Sequence, residues 1–136
     1  MIKYIVMKYT AFCDGGSRGN PGPSASAFVI FEEGVIIDSQ GQYLGVNTNN
    51  VAEWTSLILA LESAKLNNYY PITIKLDSLL VVNQIQNLWK VKTPHLLPLY
   101  KKAKLLVTPQ IKFEHVLREY NKDADALVNE TLDNQL

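Results

Sequence analysis

The first half of the chain contains short runs in which β-branched, aromatic and small apolar residues predominate. One run occupies residues 2–13, and two more follow at 26–31 and 35–44. Residues of these types favour extended strands, and the polar segment 32–34, which ends in glycine, is typical of a hairpin turn. The pattern therefore predicts three consecutive strands that form an antiparallel meander.

From Thr48 onward the apolar residues recur at every third or fourth position, which is the period of a helix. One face of the first predicted helix is almost entirely apolar: Val51, Trp54, Leu57, Ile58, Leu61 and Ala64. Either Thr48 or Asn49 is placed to cap this helix at its start. The helix is expected to end at the Asn67-Asn68 pair.

Two further apolar runs, at residues 72–77 and 111–117, predict two more strands. Ser78 is placed to cap a second helix that extends to about residue 88. A third helix is expected after Pro98 and a fourth over residues 122–132. This order of elements predicts an α/β fold, in which helices flank a five-stranded mixed sheet that combines the antiparallel meander with parallel strands.

Composition limits the class of protein. The chain has 136 residues, of which 47% are hydrophobic and 19% charged, as expected for a single globular domain over residues 1–136. Thirteen basic residues balance thirteen acidic ones, so a nucleic-acid partner would have to be bound by a local patch. The single cysteine, Cys13, excludes an internal disulfide and a cysteine-based zinc site, which favours a cytoplasmic location. No targeting or membrane-spanning segment is predicted, and we expect a monomer without an obligate protein partner.

Carboxylates occur at the predicted ends of strands and starts of helices. Asp14 and Asp77 each stand at the carboxyl end of a strand, the edge at which ligands of open α/β sheets bind. Glu53 lies near the start of the first helix and Asp125 in the first turns of the last one. These are either four separate surface acids or one cluster, and a cluster would repel itself unless cations neutralised it.

A cluster of this kind predicts hard divalent cations. With no cysteine set and no suitable histidine pair, carboxylate oxygens favour Mg²⁺ or Mn²⁺. Two such ions roughly 3.5–4 Å apart suit the in-line displacement of a phosphodiester. Asp123 competes with Asp125 for the fourth position, but residues two apart on a helix point about 200° away from each other, and the neighbouring Ala124 favours Asp125.

Four motifs, in the same order along the chain, resemble those of ribonuclease H type 1. They are D-G-G-S-x-G-N-P-G at residues 14–22, T-N-N-x-A-E at 48–53, L-D-S at 76–78 and H-V-x-R-E-x-N-x-x-A-D-x-L at 115–127. The resemblance covers essentially the whole chain and implies the ribonuclease H fold. It also implies endonucleolytic cleavage of the RNA strand of an RNA–DNA hybrid, leaving 5′-phosphate and 3′-hydroxyl ends, with Asp14, Glu53, Asp77 and Asp125 as catalytic metal ligands.

The same resemblance suggests residues that bind the substrate. RNA is distinguished from DNA by its 2′-hydroxyl, which short polar side chains can read across the minor groove. Ser17, Asn20 and Asn49 resemble the residues that do so in the family, and Thr48 with Asn49 could also hold a phosphate at a helix start. Trp89, next to lysines, is a candidate contact to the DNA strand.

The chain also departs from the family pattern. Many relatives carry a histidine on a longer loop before the last helix, whereas segment 117–121 is short and lacks it, as in compact variants of the family. Arg118 or Glu119 could substitute by position. Leu79 and Val46 stand where a glutamine and an arginine are usual, which predicts weaker or more salt-sensitive hybrid binding.

Two alternatives remain open from the sequence. One is a hybrid-binding module without activity, which the presence of all four acids disfavours. The other is a different nuclease on the same fold, such as a junction resolvase or an integrase-type enzyme, which the predicted 2′-hydroxyl-reading loop disfavours.

Overall fold

The computed structural model describes residues 6–135. Five strands form one sheet: β1 (Tyr9–Ser17), β2 (Gly22–Glu32), β3 (Val35–Asn47), β4 (Ile72–Leu76) and β5 (Ile111–His115). Their order across the sheet is β3-β2-β1-β4-β5. Strands β1, β2 and β3 are antiparallel neighbours, whereas β4 runs parallel to both β1 and β5. The predicted mixed α/β sheet is therefore confirmed.

Within residues 6–135, four α-helices connect or follow the strands: α1 (Asn49–Asn67), α2 (Leu79–Ile85), α3 (Leu97–Leu106) and α4 (Lys122–Asp133). A 3₁₀ turn, Arg118–Tyr120, precedes α4. Thr48 is the residue that caps α1, since its side chain accepts a hydrogen bond from the Val51 amide, and Ser78 caps α2 in the same way. Among the described residues, no helix is long and apolar enough to cross a membrane.

The helices cover the two faces of the sheet unequally. Helix α1 buries Trp54, Leu57 and Leu61 in the main core, which also contains the inward residues of β1 and β4. Helix α4 packs on the opposite face through Val128 and Leu132. It lies close to the sheet because the residues beneath it are small: Ala25 and Ala27 on β2 and Gly41 on β3, where a Cβ would lie 2.1 Å from Thr131 Oγ1.

Strand β1 differs from its prediction at both ends. The predicted residues 2–5 lie outside the described part of the chain, and within it the strand begins at Tyr9. At the other end Asp14 does not leave the strand, because β1 stays paired with β2 as far as Ser17 opposite Ser24. Only the pairing with β4 stops before it, at Cys13 opposite Leu76. Asp14 is thus the first residue beyond the parallel pair rather than the first residue of a loop.

Other bounds were also wrong by a few residues, and β5, for example, ends at His115 instead of residue 117. Helix α2 ends at Ile85 instead of about residue 88, and Asn87 adopts a left-handed conformation with φ 63°. Strand β2 begins at Gly22, earlier than predicted, since Gly22 pairs with Asn47 at the end of β3 and Ser24 with Ser17 at the end of β1. Strand β3 continues to Asn47, so that it leads directly into α1.

Candidate metal centre and nucleic-acid cleft

Three carboxylates meet at one end of the sheet. Asp14, Glu53 and Asp77 each offer an oxygen atom, and these atoms all lie within 4.8 Å of one another. Asp14 and Glu53 are buried, with 4% and 9% of their surface exposed. The cluster combines β1, α1 and the residue after β4, so the sequence prediction that these acids converge is matched by the geometry.

Strand register explains why Asp14 and Asp77 are neighbours. Cys13 and Leu76 form the last parallel pair between β1 and β4, so the next residue on each strand is an aspartate. Carboxyl ends of parallel strands meet at the same edge of a sheet, which is the usual position of a ligand site. A shift of one residue in this pairing would turn one of the two side chains to the other face.

Gly15 explains how Glu53 joins them. A Cβ on Gly15 would lie 2.2 Å from the Ala52 carbonyl carbon and 2.4 Å from the Glu53 amide nitrogen. Only glycine therefore allows the first turns of α1 to approach the β1 backbone this closely. The Ser26 hydroxyl holds the helix there, since it donates a 2.6 Å hydrogen bond to the Ala52 carbonyl.

The electrostatics of the cluster indicate a site for positive charge. Burial, with the charges of Asp77 and Asp125, raises the pKa of Asp14 to about 7. Burial and the charge of Asp14 also raise the pKa of Glu53 well above its ordinary value. Glu53 Oε2 and Asp77 Oδ2 are buried without a hydrogen-bond partner in the described chain. Buried, unpartnered carboxylate oxygens at this spacing fit a hard divalent cation, which would satisfy them and offset the repulsion.

Asp125 lies beside the three-carboxylate group rather than within it. It is half-buried in the first turn of α4, where its charge and a side-chain hydrogen bond raise the pKa of Asp14. Asp123 is exposed on the same helix. Between the two competing aspartates, Asp125 is therefore the one that faces the cluster.

A cleft of about 440 Å³ opens beside Glu53 and Asp77. Its other walls are polar and come from four segments: Gly16, Ser17, Asn49, Asn50, Ser78 and Arg118. The Arg118 guanidinium lowers the pKa of Asp77, although burial, the larger effect, leaves it above its ordinary value. Asn50 and Ser78 were not among the predicted site residues, although the T-N-N motif contains Asn50 and the L-D-S motif contains Ser78. Arg118 was suggested only by its position before the last helix.

Three of the predicted substrate-binding residues hydrogen-bond to one another. Asn49 Oδ1 accepts from the Ser17 amide at 2.9 Å, and Asn20 Oδ1 accepts from the Asn49 amide at 3.1 Å. Thr48 contributes its helix cap. Because the two asparagine oxygens are engaged within the protein, their side-chain NH₂ groups are the ends left to meet a ligand. The network joins the 17–20 loop to the start of α1.

Trp89 is not brought to this cleft. Its side chain is 46% exposed and lines a separate cavity of about 220 Å³ with Lys90 and Tyr100. Neither histidine belongs to the carboxylate cluster: His95 is an exposed turn residue, whereas the exposed His115 ring lies 3.3 Å from the Asp77 carbonyl oxygen and is one of the groups that lower the pKa of the Asp77 carboxyl.

Comparisons with known proteins identify the family. A family model described as reverse transcriptase-like matches residues 12–131. The bifunctional protein Rv2228c of Mycobacterium tuberculosis is 40% identical over 131 residues, which are 93% of this chain but 36% of that protein. The chain thus spans about a third of the length of this curated relative.

Two solved structures are similar over their whole length. The crystal structure of RNase H1 from Halobacterium salinarum matches with a TM-score of 0.87 and 39% identity, covering 93% of this chain and 98% of that one. LC11-RNase H1, solved in complex with an RNA/DNA hybrid, matches with a TM-score of 0.87 and 38% identity over 94% and 99% of the two chains. With its sheet order, its four motifs and these end-to-end matches, the chain belongs to the ribonuclease H type 1 family.

Proposed function

We propose that residues 1–136 form one ribonuclease H domain that hydrolyses the RNA strand of RNA–DNA hybrids internally, leaving 5′-phosphate and 3′-hydroxyl ends. The observation that carries this proposal is the buried cluster of Asp14, Glu53 and Asp77, with two unpartnered oxygens, beside a polar cleft. A relative that matches this chain end to end was solved with an RNA/DNA hybrid, which supports the choice of substrate.

The cluster fits divalent cations, and we propose two ions, Mg²⁺ or Mn²⁺, held by Asp14, Glu53, Asp77 and Asp125. When bound, such ions lower the pKa of the attacking water and stabilise the leaving oxygen. Asp14 is close to the other acids: its carboxylate oxygen lies within 4.8 Å of those of Glu53 and Asp77, and the charge of Asp125 also raises its pKa. It is therefore the residue expected to be shared between the two ions. Neither histidine is needed as a general base.

The cleft walls supply groups suited to a ribose and a phosphate. The free NH₂ groups of Asn20 and Asn49 can donate to a 2′-hydroxyl or to base edges in the minor groove, while the Ser17 hydroxyl holds the loop by its contact with the Gly19 carbonyl. At the start of α1 the Asn49 amide donates to Asn20 and the Val51 amide to Thr48, which leaves the Asn50 amide to donate to a phosphate of the DNA strand. Trp89 is proposed as a more distant stacking contact to the DNA strand.

Location and assembly are also proposals. The free thiol of Cys13 is fully buried, which is consistent with a cytoplasmic protein that needs no disulfide. We expect the domain to act as a monomer, because the carboxylate cluster and the cleft beside it are formed by residues of a single chain.

The direct test is cleavage of a uniformly labelled RNA–DNA hybrid with Mg²⁺ or Mn²⁺, next to matched RNA and DNA duplexes. Asp14→Asn should abolish cleavage of the hybrid, whereas Asp123→Asn, a change to an exposed acid on α4, should leave it unchanged. Cleavage that survives Asp14→Asn would overturn the site. Binding of the hybrid without cleavage would indicate an inactive module, and cleavage of the DNA duplex would indicate another nuclease on this fold.

A further inference from the structure

Asn121 is a buried amide at the point where α4 begins. It has no measurable exposure, yet its side chain does not cap the helix that it precedes. Instead Asn121 Nδ2 donates a 2.8 Å hydrogen bond across the fold to the Cys13 carbonyl on β1. An asparagine at a helix start ordinarily accepts from the first amides of its own helix, so this inward orientation is unusual.

Asn121 is hydrogen-bonded to two of the four carboxylate-bearing segments. Cys13, whose carbonyl it binds, is the residue before Asp14. The backbone carbonyl of Asn121 accepts from the Asp125 amide at 3.1 Å. Its side chain also favours the ionised form of Asp77 and so lowers the pKa of that carboxyl. One residue therefore connects β1 with the first turn of α4.

The remaining side-chain atom of Asn121 is unsatisfied. Asn121 Oδ1 is buried without a hydrogen-bond partner among residues 6–135, as is Asp77 Oδ2. A buried polar atom without a partner lowers stability, so an apolar side chain of the same size would suit the packing better. Buried polar atoms normally have hydrogen-bond partners, and exceptions to this rule commonly occur where function requires a particular side chain.

We propose that Asn121 is a positioning residue that sets the spacing of the metal-binding carboxylates by tying β1, at the residue before Asp14, to the start of α4, which carries Asp125. This inference rests on the proposed function, because it takes the cluster to be the metal site. Asn121 itself does not line the cleft beside Glu53 and Asp77 and acts through the acids. Groups that orient metal ligands typically change metal affinity 10- to 100-fold when removed.

The test compares Asn121→Leu, which keeps the volume and removes the hydrogen bonds, with Gln84→Leu. Gln84 is a matched control because it is also a buried amide with two hydrogen bonds, to Trp54 Nε1 and to the Lys90 carbonyl, but it lies in the main core. Metal affinity is measured from the rise of the melting temperature with Mg²⁺ or Mn²⁺, and kcat and KM are measured on the hybrid at saturating metal.

We expect Asn121→Leu to weaken metal binding by roughly tenfold or more and to lower kcat, with the KM for the hybrid within about twofold of the wild type. Gln84→Leu should lower the melting temperature without changing metal affinity. If Asn121→Leu does not fold, Asn121→Ser, which retains a short donor, should show a smaller loss in the same direction. Wild-type metal affinity in the folded Asn121 variant, or an equal loss in Gln84→Leu, would overturn the inference.

The two proposals fail separately. If the wild type binds metal but does not cleave the hybrid, the proposed function fails, and a weaker metal affinity of Asn121→Leu still supports the positioning role. If the wild type cleaves the hybrid and the variant binds metal normally, only the positioning role fails. A wild type that binds neither Mg²⁺ nor Mn²⁺ would overturn both.

Discussion

Asp14 is the residue at which burial and mutual repulsion act together. Its carboxyl is buried between Glu53, Asp77 and Asp125, so its pKa rises from 3.8 to about 7. Without a cation, ionising this group in the folded protein costs more than ionising it in the unfolded chain. The free energy of unfolding of the metal-free protein must therefore depend on pH.

We predict that the metal-free protein loses stability as pH rises from about 4 to about 7. Asp14 has the higher pKa in the folded state, so the folded protein holds a proton that the unfolded chain releases, and stabilisation by that proton is lost as pH passes the folded pKa. The rise of the Asp14 pKa from 3.8 to about 7 corresponds to a loss of at most about 4 kcal/mol in the free energy of unfolding. Urea unfolding in a chelator at several pH values between 4 and 8 measures this change in the free energy of unfolding.

Asp14→Asn provides the comparison for this pH dependence, because an amide cannot ionise. The variant should be more stable than the wild type at pH 8 without metal and should lose that advantage when Mg²⁺ or Mn²⁺ is added. Equal pH dependence in the two proteins would contradict the assignment of the raised pKa to Asp14.

Arg118 is the cation that faces the cleft, and its guanidinium favours the ionised form of Asp77. We predict that Arg118→Ala lowers kcat on the hybrid by roughly tenfold or more, since a positioned cation or donor that stabilises charge developing in the transition state typically contributes at least this much. Arg118 is exposed, so the melting temperature should change little. Steady-state kinetics of Arg118→Ala and Arg118→Lys test this role, and unchanged turnover in both would leave Glu119 as the alternative.

At the scale of elements, the contact between β1 and α1 determines the geometry of the cluster. Two consecutive glycines on β1 differ in their surroundings. At Gly15 an added Cβ would meet the backbone of Ala52 at 2.2 Å, whereas at Gly16 it would meet only Val128 Cγ1 at 3.5 Å. The first is a steric clash with main chain that cannot move aside, and the second is an ordinary van der Waals contact.

We predict that Gly15→Ala destabilises the protein by at least about 1–3 kcal/mol, as overpacking usually does, and weakens metal binding by moving Glu53 away from Asp14. Gly16→Ala, one residue later on the same strand, should change neither the stability of the protein nor its metal affinity appreciably. Thermal unfolding with and without Mn²⁺ measures the two effects together. Similar losses in both variants would show that the close approach of α1 is not the cause.

At the scale of the whole molecule, the net charge is balanced, so binding of the proposed hybrid substrate would depend on local contacts. Two positions at which the family resemblance predicts polar contacts to the hybrid carry exposed apolar residues: Leu79 at the start of α2 is 47% exposed and Val46 on β3 is 72% exposed. Contacts between basic side chains and the phosphates of a hybrid are electrostatic and are weakened by salt.

We predict that the affinity for the hybrid falls by roughly tenfold or more between 50 and 200 mM salt. Leu79→Gln should tighten binding, whereas Leu105→Gln should not, because Leu105 lies on α3, outside the lining of the cleft, and is already 86% exposed. Fluorescence anisotropy with the Asp14→Asn protein avoids cleavage during the titration. Tight binding that persists at high salt would contradict the prediction.

Much of the fold and the choice of candidate acids could be predicted from the sequence, because the signals are local. The helical period of α1, the caps at Thr48 and Ser78 and the position of Asp77 after a strand each depend on residues within a few positions of one another. The spacing of the four motifs was likewise enough to indicate the family.

Other features depend on contacts between distant parts of the chain, so only the tertiary structure decided them. The sequence suggested that Asp14 begins a loop, but pairing with β2 keeps it within the strand. The close contact of Gly15 with Ala52 and the bond from Asn121 to Cys13 join residues 37 and 108 positions apart. By itself the sequence determined which residue types and elements are present, because these follow from local propensity and period. Long-range packing decided which of those residues share the buried cluster of carboxylates.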